Sequence, residues 1–471
     1  MIKFGTSGFR GIFAENFTKE NIQKIGYALI KYFKNQLKNP IYVGYDNRFM
    51  GEYFAKWIAE VFASSGAKVM FYNKSVPSTL IAYQTKNLNF GVHITASHNP
   101  YFYNGIKIFI KNGRESTSEI NNKLSQIANK ISYAKIKTQN FDKAIENGNI
   151  IICEDIKPYC NNIVEIVDKK VIKTQKIKVL FNAMHGSSAE CMKYILDKIK
   201  VDYEIMNENV DPFFENMLPA PYEENLKTQI AEMKKGDFDF GFAFDGDGDR
   251  VSFLSGDGTF YNCNYISAVI YDYFLKHKKI KGDFVKNCAL TELISKIAKK
   301  YDQKVFEAEV GFKNIAKTMV ENPSVIMGAE SNGIALKDHI MHKDGLLFAS
   351  IMIEIIAKTN KSIKELVKSI KSEFDFPCEV LEFSYPISEE KKQEIAKKVF
   401  IKKELPQTPK QILGVSYKDG CKLIFENGYW GVIRFSGNEN VIRLFAEMKN
   451  KQECEEYIKI YENFLDIKIR Q

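Results

Sequence analysis

Three carboxylates alternate with two glycines at Asp245, Asp247 and Asp249, immediately after a run of apolar residues. Acidic side chains this close repel one another unless a cation lies between them, and alternate residues of an extended strand stand roughly 6.5–7 Å apart. The oxygens that bind Mg²⁺ approach it to about 2.0–2.1 Å, so the chain has to curl, which the intervening glycines permit. The spacing predicts a divalent-cation loop. A solvated acidic turn is the alternative, whereas an EF-hand loop is excluded because Arg250 and Gly256 occupy the positions of its glycine and glutamate.

A second polar loop, Thr95 to Pro100, follows the candidate strand 90–94 and contains Ser97. A serine held at a strand end by a polar turn is well placed to act as a nucleophile or a phosphoryl acceptor. The same residues also fit a plain turn, because capping side chains and an Asn-Pro pair stop a strand without any chemistry. The residues alone leave both interpretations open.

Two further loops carry polar residues after apolar strands. In the first, a carboxylate and a hydroxyl on a tight turn can bind sugar hydroxyls, and an ordinary turn fits equally well. In the second, an arginine fork beside small side chains and accessible backbone N–H groups can cradle a phosphate, and a simple hairpin end is the alternative. The residues concerned are Glu330 and Ser331 in the first loop, and Arg434, Ser436, Gly437 and Asn438 in the second.

The elements that must position these loops alternate between short β-rich runs and amphipathic helices, which is typical of α/β architecture. A polar stretch at 137–149 is expected to be a linker. Beyond Phe376 the pattern changes to charged helices around a hairpin joined at Asn427-Gly428, which indicates a smaller α+β domain. The predicted strands are 41–45, 68–72, 90–94, 177–181, 238–244, 305–310, 325–327, 421–425 and 429–434, and the predicted helices are 53–63, 119–131, 265–277, 344–356, 389–398 and 452–465.

Length and composition describe a soluble globular chain. With 471 residues it exceeds a single hydrophobic core, so two to four domains are expected. No apolar run approaches the roughly 20 residues that span a bilayer, so no membrane association is expected. The net charge of +9 comes from dispersed lysines without a basic, aromatic-interleaved stripe, which favours small anionic substrates over nucleic acid. Eight scattered cysteines without a C-x-x-C pair indicate reduced thiols in the cytoplasm.

Taken together and in order, these loops resemble the α-D-phosphohexomutase superfamily, the phosphoglucomutases and phosphomannomutases, over essentially the whole chain. Residues 5–11 are similar to the family's N-terminal signature, whose arginine is Arg10 here. Ser97 falls at the family's phosphoserine, and Lys107 falls on a lysine near the transferring group. The segment 310–313 resembles a substrate-contacting loop.

The resemblance implies four domains around a central cleft. Three are related α/β domains with mixed sheets, and the fourth is a smaller α+β domain. On this sequence they are expected at 1–140, 150–255, 256–373 and 377–471, and they carry the phosphoserine, metal-binding, sugar-recognition and phosphate-binding loops in that order.

The resemblance also implies a mutase that interconverts hexose 1-phosphate and hexose 6-phosphate through a phosphoserine and a hexose 1,6-bisphosphate, with Mg²⁺ as cofactor. Hexose phosphates are the expected partners, and the chain is expected to be a monomer or homodimer. His98 is a candidate acid–base group beside Lys107, and equally a residue that orients the serine loop. The implied sites are catalytic Ser97, Arg10, His98 and Lys107; metal-binding Ser97, Asp245, Asp247 and Asp249; and substrate-binding Arg250, Gly311, Lys313, Glu330, Ser331, Arg434, Ser436, Gly437 and Asn438.

Four positions depart from the family's loops: Ala329 and Asn332 in the sugar loop, and Asn438 and Asn440 in the phosphate loop. They affect the expected substrate more than the reaction. The sugar loop lacks the Gly-His ending associated with dual specificity, which favours glucose. The alternatives are a phosphoglucosamine mutase, a sugar-phosphate phosphatase or a silent sugar-phosphate binding protein. A G-x-x-x-x-G-K-[ST] nucleotide loop does not occur. Two histidines downstream of the sugar loop, at 339 and 342, are expected at the surface.

Overall fold

The computed structural model describes residues 1–5, 7–436 and 440–467. Its first sheet has seven strands in the order β1-β5-β4-β2-β3-β7, with β6 paired to β5. Strand β2 is parallel to β3 and β4, whereas β5 is antiparallel to β4, so the sheet is mixed. The strands are β1 Phe9–Ile12, β2 Ile41–Tyr45, β3 Val69–Tyr72, β4 Phe90–Ile94, β5 Tyr103–Ile110, β6 Arg114–Glu115 and β7 Ile150–Cys153; the helices around them are α1 Lys19–Tyr32, α2 Gly51–Ser64, α3 Ser78–Gln84, α4 Ser118–Lys130 and α5 Phe141–Glu146.

The second sheet has five strands in the order β12-β11-β10-β8-β9. Its strand β10 is apolar and buried at all five positions, as expected for a strand between two neighbours with both faces covered. It runs parallel to β8 and antiparallel to β11, so the acidic loop is the β10–β11 connection. The elements are β8 Lys178–Asn182, β9 Asp202–Met206, β10 Phe240–Phe244, β11 Val251–Ser255 and β12 Phe260–Tyr261, with α6 Lys157–Ile166, α7 Lys169–Ile172, α8 Ala189–Ile199 and α9 Lys227–Met233.

The third sheet has four strands in the order β14-β13-β15-β16. Its first pair, β13 and β14, is parallel, which requires the crossover helix between them. The elements are β13 Asp283–Asn287, β14 Val305–Ala308, β15 Val325–Glu330 and β16 Gly333–Leu336, with α10 Cys263–Lys276, α11 Leu293–Lys300, α12 Phe312–Glu321, α13 Gly345–Thr359 and α14 Ile363–Glu373.

The fourth sheet is antiparallel, with the order β17-β21-β20-β19-β18. Asn427 and Gly428 have positive φ at the turn between β19 and β20, so the predicted hairpin is confirmed. A Cβ on Gly431 would lie 1.9 Å from the Tyr461 hydroxyl, so helix α16 packs on this sheet only over a glycine. The elements are β17 Glu379–Pro386, β18 Gly414–Ser416, β19 Cys421–Ile424, β20 Trp430–Phe435 and β21 Val441–Met448, with α15 Glu389–Ile395, a π-helical turn at Ala396–Ile401 and α16 Lys451–Leu465.

The chain forms two compact units. The first consists of Met1–Cys263, Ile326–Gly328 and Asn332–Glu365, and it contains the first and second sheets. The second consists of Asn264–Val325, Ala329–Ser331 and Leu366–Gln471, and it contains β13, β14 and the fourth sheet.

The expected fold class is confirmed, namely α/β domains with mixed sheets followed by an α+β domain with an antiparallel sheet. Two local expectations differ from the structure. The stretch 137–149 is not a plain linker, because Asn140 caps helix α5 by accepting the Lys143 N–H. Strand β7, which lies beyond the expected end of the first domain at residue 140, pairs with β3 in the first sheet.

All eight cysteines are free thiols. Among the described residues, no helix combines the length and the apolar character that a membrane crossing requires.

Candidate active site

Ser97 lies in the loop between β4 and β5 and is 1% exposed. Its φ of 54° is in the left-handed region, and its N–H donates to Thr95 Oγ1 at 2.8 Å, which holds this uncommon turn. Its hydroxyl donates to Asp245 Oδ2 at 2.7 Å. The first unit therefore brings the serine of the first sheet into direct contact with the acidic loop of the second sheet.

The close approach of the two loops depends on Gly246. A Cβ at this position would lie 2.8 Å from the carbonyl oxygen of Ser97, closer than carbon and oxygen normally approach. The glycines between the aspartates therefore do more than allow the acidic loop to curl, because one of them also makes room for the serine loop.

The three aspartates Asp245, Asp247 and Asp249 are buried, and each offers an oxygen within 4.8 Å of the others. Lys107, on strand β5, donates to Asp247 Oδ2 at 2.6 Å and also to Asp249 Oδ2. Asp247 Oδ1 is buried and accepts no hydrogen bond from any residue that the structure describes. A buried carboxylate oxygen without a donor is costly unless a cation satisfies it.

The pKa values show how charge is shared in this cluster. Burial, reinforced by the charges of Asp247 and Asp249, raises the pKa of Asp245 to about 7. Burial also opposes ionisation of Asp247 and Asp249, but the Lys107 ammonium outweighs it and holds both pKa values below their usual range. Despite the same burial, these carboxylates raise the pKa of Lys107. At neutral pH the carboxylates of Asp247 and Asp249 and the ammonium of Lys107 are therefore ionised, and Asp245 is close to the midpoint of its titration.

This donor set fits a hard divalent cation. Mg²⁺ prefers carboxylate oxygens and binds through few protein ligands together with phosphate oxygens. The three aspartates could hold it, because their oxygens converge and Asp247 Oδ1 lacks a donor.

Positive side chains surround the same point. The backbone N–H of Arg250 donates to Asp245 Oδ1 at 3.1 Å, and its side-chain Nε lies 3.9 Å from Asp245 Oδ2. Lys343 Nζ lies 3.6 Å from Asp249 Oδ1. Arg10 donates to Asn99 Oδ1, and burial together with the charge of Arg250 lowers its pKa. Fixed cations around a serine hydroxyl can neutralise the oxygens of a phosphoryl group there.

His98 also approaches the hydroxyl, with Nδ1 at 3.3 Å from Ser97 Oγ. Desolvation, then the charges of Arg250 and Arg10, lower the pKa of His98 well below its usual value. The imidazole is therefore neutral at neutral pH and can accept a proton or a hydrogen bond beside the serine.

The expectation that His339 and His342 lie at the surface is wrong, since they are 0% and 1% exposed. His342 Nε2 lies 3.2 Å from Asp249 Oδ2. His339 Nε2 lies 2.7 Å from Asp344 Oδ2, the residue that caps helix α13. Each buried histidine therefore has a carboxylate partner, Asp344 five residues after His339 and Asp249 93 residues before His342.

Sequence reasoning missed Arg48, which is buried beneath the serine loop. Its guanidinium donates to four backbone carbonyls of that loop and the start of β5. Its Cζ lies 5.0 Å from the centre of the Phe214 ring. Asp46 Oδ2 lies 3.4 Å from Arg48 Nε and accepts from the Thr95 hydroxyl at 2.5 Å. The charged pair directly after strand β2 was the available signal. The four acceptors and their distances are Ser97 O at 2.7 Å, Asn99 O at 2.6 Å, Pro100 O at 2.8 Å and Tyr103 O at 3.0 Å.

We expect Arg48→Lys to lower kcat by about 100-fold, because a lysine is a point donor that cannot serve four carbonyls, and a displaced serine loop loses alignment. Steady-state kinetics with a melting curve measures this. The control is Lys56→Gln in helix α2. It also removes a positive charge, and with it a partly exposed i,i+4 ion pair with Glu52. Wild-type kinetics in Arg48→Lys would show that the four hydrogen bonds from Arg48 are not needed to align Ser97.

The remaining predicted residues lie in the second unit. Gly311 has a φ of 112° and precedes helix α12, whose second residue is Lys313. Glu330 ends strand β15, and Ser331 follows it. Arg434 lies in strand β20, and its Nε donates to Asp419 Oδ1 at 2.8 Å. The Ser436 N–H donates to Val441 O at 2.8 Å, which closes the β20–β21 connection.

Gly437 and Asn438, which the sequence analysis assigns to the phosphate loop, lie outside the described residues.

Comparison with known proteins gives a consistent result along the chain. Three family models match in order: phosphoglucomutase/phosphomannomutase alpha/beta/alpha domain I over 1–135, domain II over 157–258 and domain III over 262–374. A protein of Thermococcus kodakarensis named phosphoglucomutase/phosphomannomutase is 30% identical over 463 residues, which are 97% of each chain. A phosphoglucosamine mutase of Methanocaldococcus jannaschii is 27% identical over 468 residues, covering 97% of this chain and 96% of its own.

A solved structure shows the same fold. It is a phosphoglucomutase/phosphomannomutase family protein of Burkholderia thailandensis, and it superposes with a TM-score of 0.81 at 18% identity, covering 99% of this chain and 98% of its own. The family models and the relatives that match along the whole chain agree with a buried serine that is hydrogen-bonded to an acidic triad. The chain belongs to the phosphoglucomutase/phosphomannomutase family of phosphohexomutases, which are isomerases that act as intramolecular phosphotransferases.

Proposed function

We propose that the chain interconverts hexose 1-phosphate and hexose 6-phosphate by carrying a phosphoryl group on Ser97, with hexose 1,6-bisphosphate as the intermediate. The observation that carries the proposal is the 2.7 Å hydrogen bond from Ser97 Oγ to Asp245 Oδ2, within a buried acidic triad. A hydroxyl at this position is adjacent both to cation ligands and to fixed positive side chains.

The transfer consists of one bond made and one broken. A hydroxyl oxygen of the sugar phosphate attacks phosphorus, the bond from phosphorus to Ser97 Oγ breaks, and the sugar becomes a bisphosphate. The sugar bisphosphate then turns around, and its other phosphoryl group returns to Ser97. Catalysis of such a transfer is mostly positioning and neutralisation of oxygen charge. Arg10, Arg250 and Lys107 supply that positive charge.

Proton transfer accompanies each step, because the attacking hydroxyl loses a proton and the leaving oxygen gains one. When Ser97 is the attacking hydroxyl, His98 can accept its proton, since Nδ1 lies 3.3 Å from Ser97 Oγ and the lowered pKa leaves the ring neutral at neutral pH; when Ser97 Oγ is the leaving oxygen, the protonated ring returns that proton. The raised pKa of Lys107 supports a fixed ammonium over a base. Asp245, Asp247 and Asp249 would hold Mg²⁺ together with an oxygen of the phosphoserine. Bound Mg²⁺ supplies Lewis-acid neutralisation of a phosphoryl oxygen.

The second unit supplies the groups that bind the rest of the substrate. Arg434 and Ser436 bind the phosphate that is not being transferred, with Gly437 and Asn438 completing that loop. Glu330 and Ser331 bind the sugar hydroxyls, and Gly311 and Lys313 contact the substrate from the loop before and the first turn of α12.

The preferred sugar is proposed to be glucose, with mannose as a second substrate. Phosphoglucosamine mutase is the alternative, and it is favoured by one of the relatives described above. A coupled assay with glucose, mannose and glucosamine 1-phosphates, Mg²⁺ and catalytic hexose 1,6-bisphosphate tests this. We expect kcat/KM to be largest for glucose 1-phosphate. A larger kcat/KM for glucosamine 1-phosphate would overturn the glucose assignment without touching the mutase chemistry.

A phosphatase or a silent binding protein would give different results in the same assay. Release of inorganic phosphate at the rate of substrate loss would identify a phosphatase. Binding without turnover, and without stimulation by hexose 1,6-bisphosphate, would identify a binding protein. We further propose four domains in the order given by the sequence, the first of which extends to strand β7, together with a cytoplasmic location, a monomer or homodimer, and the absence of nucleic-acid binding.

A further inference from the structure

Asp419 stands at a turn that is built to bring it against Arg434. It lies two positions before strand β19, and Gly420 between them has a φ of 86°. A Cβ on Gly420 would lie 2.7 Å from Ile433 O and 3.0 Å from Arg434 Cβ. Because only glycine fits this backbone at that distance, the turn can lie directly on the end of strand β20.

The carboxylate of Asp419 accepts from two different parts of the second unit. Oδ1 accepts from Arg434 Nε at 2.8 Å. Oδ2 accepts from the backbone N–H of Val310 at 2.5 Å. Val310 immediately precedes Gly311 and the start of helix α12, which carries Lys313. One side chain therefore links the arginine of the phosphate loop to the segment 310–313.

The link fixes orientation more than it holds the fold together. A guanidinium is planar, so holding Nε on a carboxylate sets the plane in which its other four N–H donors lie. The two side chains are 16% and 15% exposed, so the ion pair is only weakly screened.

Other contacts join the β19–β20 hairpin to the end of β14 and to Val310 independently of Asp419. Lys422 Nζ lies 2.6 Å from Glu307 Oε2, and Lys418 Nζ donates to Glu307 O at 2.5 Å. Trp430, Cys288 and partly buried Val310 belong to one apolar cluster. Loss of the Asp419 carboxylate should therefore leave these segments packed while it releases the guanidinium.

We propose that Asp419 is a positioning residue that aims Arg434 at the non-transferred phosphate of a hexose phosphate and couples that arginine to the 310–313 segment. This inference rests on the proposed function, because it assumes that Arg434 binds substrate phosphate. The role belongs to Asp419 alone among the acidic residues of the fourth sheet's hairpin, since Glu426 at the opposite end is exposed and pairs with Lys410 at 3.4 Å.

The test compares Asp419→Asn with Glu426→Gln in steady-state kinetics on a hexose 1-phosphate, with melting curves for both. Asparagine has the same shape but only one acceptor and no charge, so it cannot serve both donors. We expect KM to rise about tenfold or more, with kcat within about twofold, because phosphate binding is lost equally from ground and transition states. Glu426→Gln is expected to keep the wild-type KM.

A double-mutant cycle separates positioning from general damage. In an Arg434→Ala background, Asp419→Asn is expected to have no further effect on KM, because the residue acts through the arginine. Asp419→Glu restores the charge and is expected to recover part of the lost affinity. An unchanged KM in Asp419→Asn, or an equal rise with and without Arg434, overturns the role of Asp419. A wild-type chain without mutase turnover is a separate result, and it overturns the proposed function itself.

Discussion

Replacement of Ser97 by alanine is expected to abolish mutase turnover. The variant has no atom that can carry the phosphoryl group between the two half-reactions. The rest of the site can still bind substrate, but it cannot complete the transfer. The loss is expected to be on the order of 10⁴-fold or more in kcat, as for removal of a nucleophile elsewhere. The measurement is interconversion of glucose 1-phosphate and glucose 6-phosphate in the presence of Mg²⁺ and catalytic bisphosphate.

A matched serine controls for the removal of a hydroxyl. Ser64 ends helix α2, and its hydroxyl lies within hydrogen-bond distance of two backbone carbonyls, Val61 O at 2.8 Å and Lys137 O at 2.7 Å. Ser64→Ala is expected to keep wild-type turnover. Full activity in Ser97→Ala would reject Ser97 as the carrier.

The second large effect is expected for Asp247→Asn. This carboxylate has one oxygen on the Lys107 ammonium and a second, buried oxygen that accepts no hydrogen bond from a described residue. An amide keeps the shape but removes the charge, so it weakens the attraction for a divalent cation. It also removes one of the negative charges that neutralise the buried Lys107 ammonium. We expect weaker Mg²⁺ binding and a fall in turnover of about 10²–10³-fold, which is the cost of losing one strong electrostatic group at a transition state.

Titration of Mg²⁺ by calorimetry and activity against Mg²⁺ concentration measure the two parts of this effect. Asp257→Asn is the control, since Asp257 lies after strand β11 in the same unit and pairs with the exposed Lys364 at 2.7 Å. It is expected to leave both titrations unchanged. If Asp247→Asn binds Mg²⁺ as tightly as the wild type and responds to it identically, the acidic triad is not the metal site.

The sequence was informative wherever a buried strand leads directly into a polar loop. The run 238–244 predicted a doubly covered strand, and β10 is buried at every position. Because the loop after such a strand lies at its carboxyl end, the sequence alone placed Asp245 to Asp249 at that end of the sheet. The same reasoning placed Ser97 after β4, and the bond between Ser97 and Asp245 brings the two predictions together.

The residues that escaped prediction act through contacts between distant parts of the chain. Arg48 donates to carbonyls about fifty positions away, and the charged pair directly after strand β2 does not by itself indicate which part of the chain it contacts. His342 is buried because Asp249 lies beside it, 93 residues earlier in the chain. Asp419 gains its two donors from Val310 and Arg434, which only the folded second unit brings together.

Local composition was misleading where polarity was taken for irregular structure. The stretch 137–149 is rich in polar residues, yet its one buried side chain in helix α5, Ala144, and the cap at Asn140 suffice for a short helix. Strand β7 was not recognisable as part of the first sheet because pairing partners are not encoded in a four-residue apolar run.

The most direct test of Ser97 as the phosphoryl carrier is peptide mass spectrometry after incubation with Mg²⁺ and glucose 1,6-bisphosphate that carries ¹⁸O-labelled phosphoryl groups, before and after a chase with excess unlabelled glucose 1-phosphate. We expect one labelled phosphoryl group on the peptide that contains Ser97, and its replacement by an unlabelled one during the chase, because each turnover passes one group to the sugar and returns the other to Ser97. A labelled phosphoryl group on another residue, or one on Ser97 that is not exchanged while turnover proceeds, would contradict it.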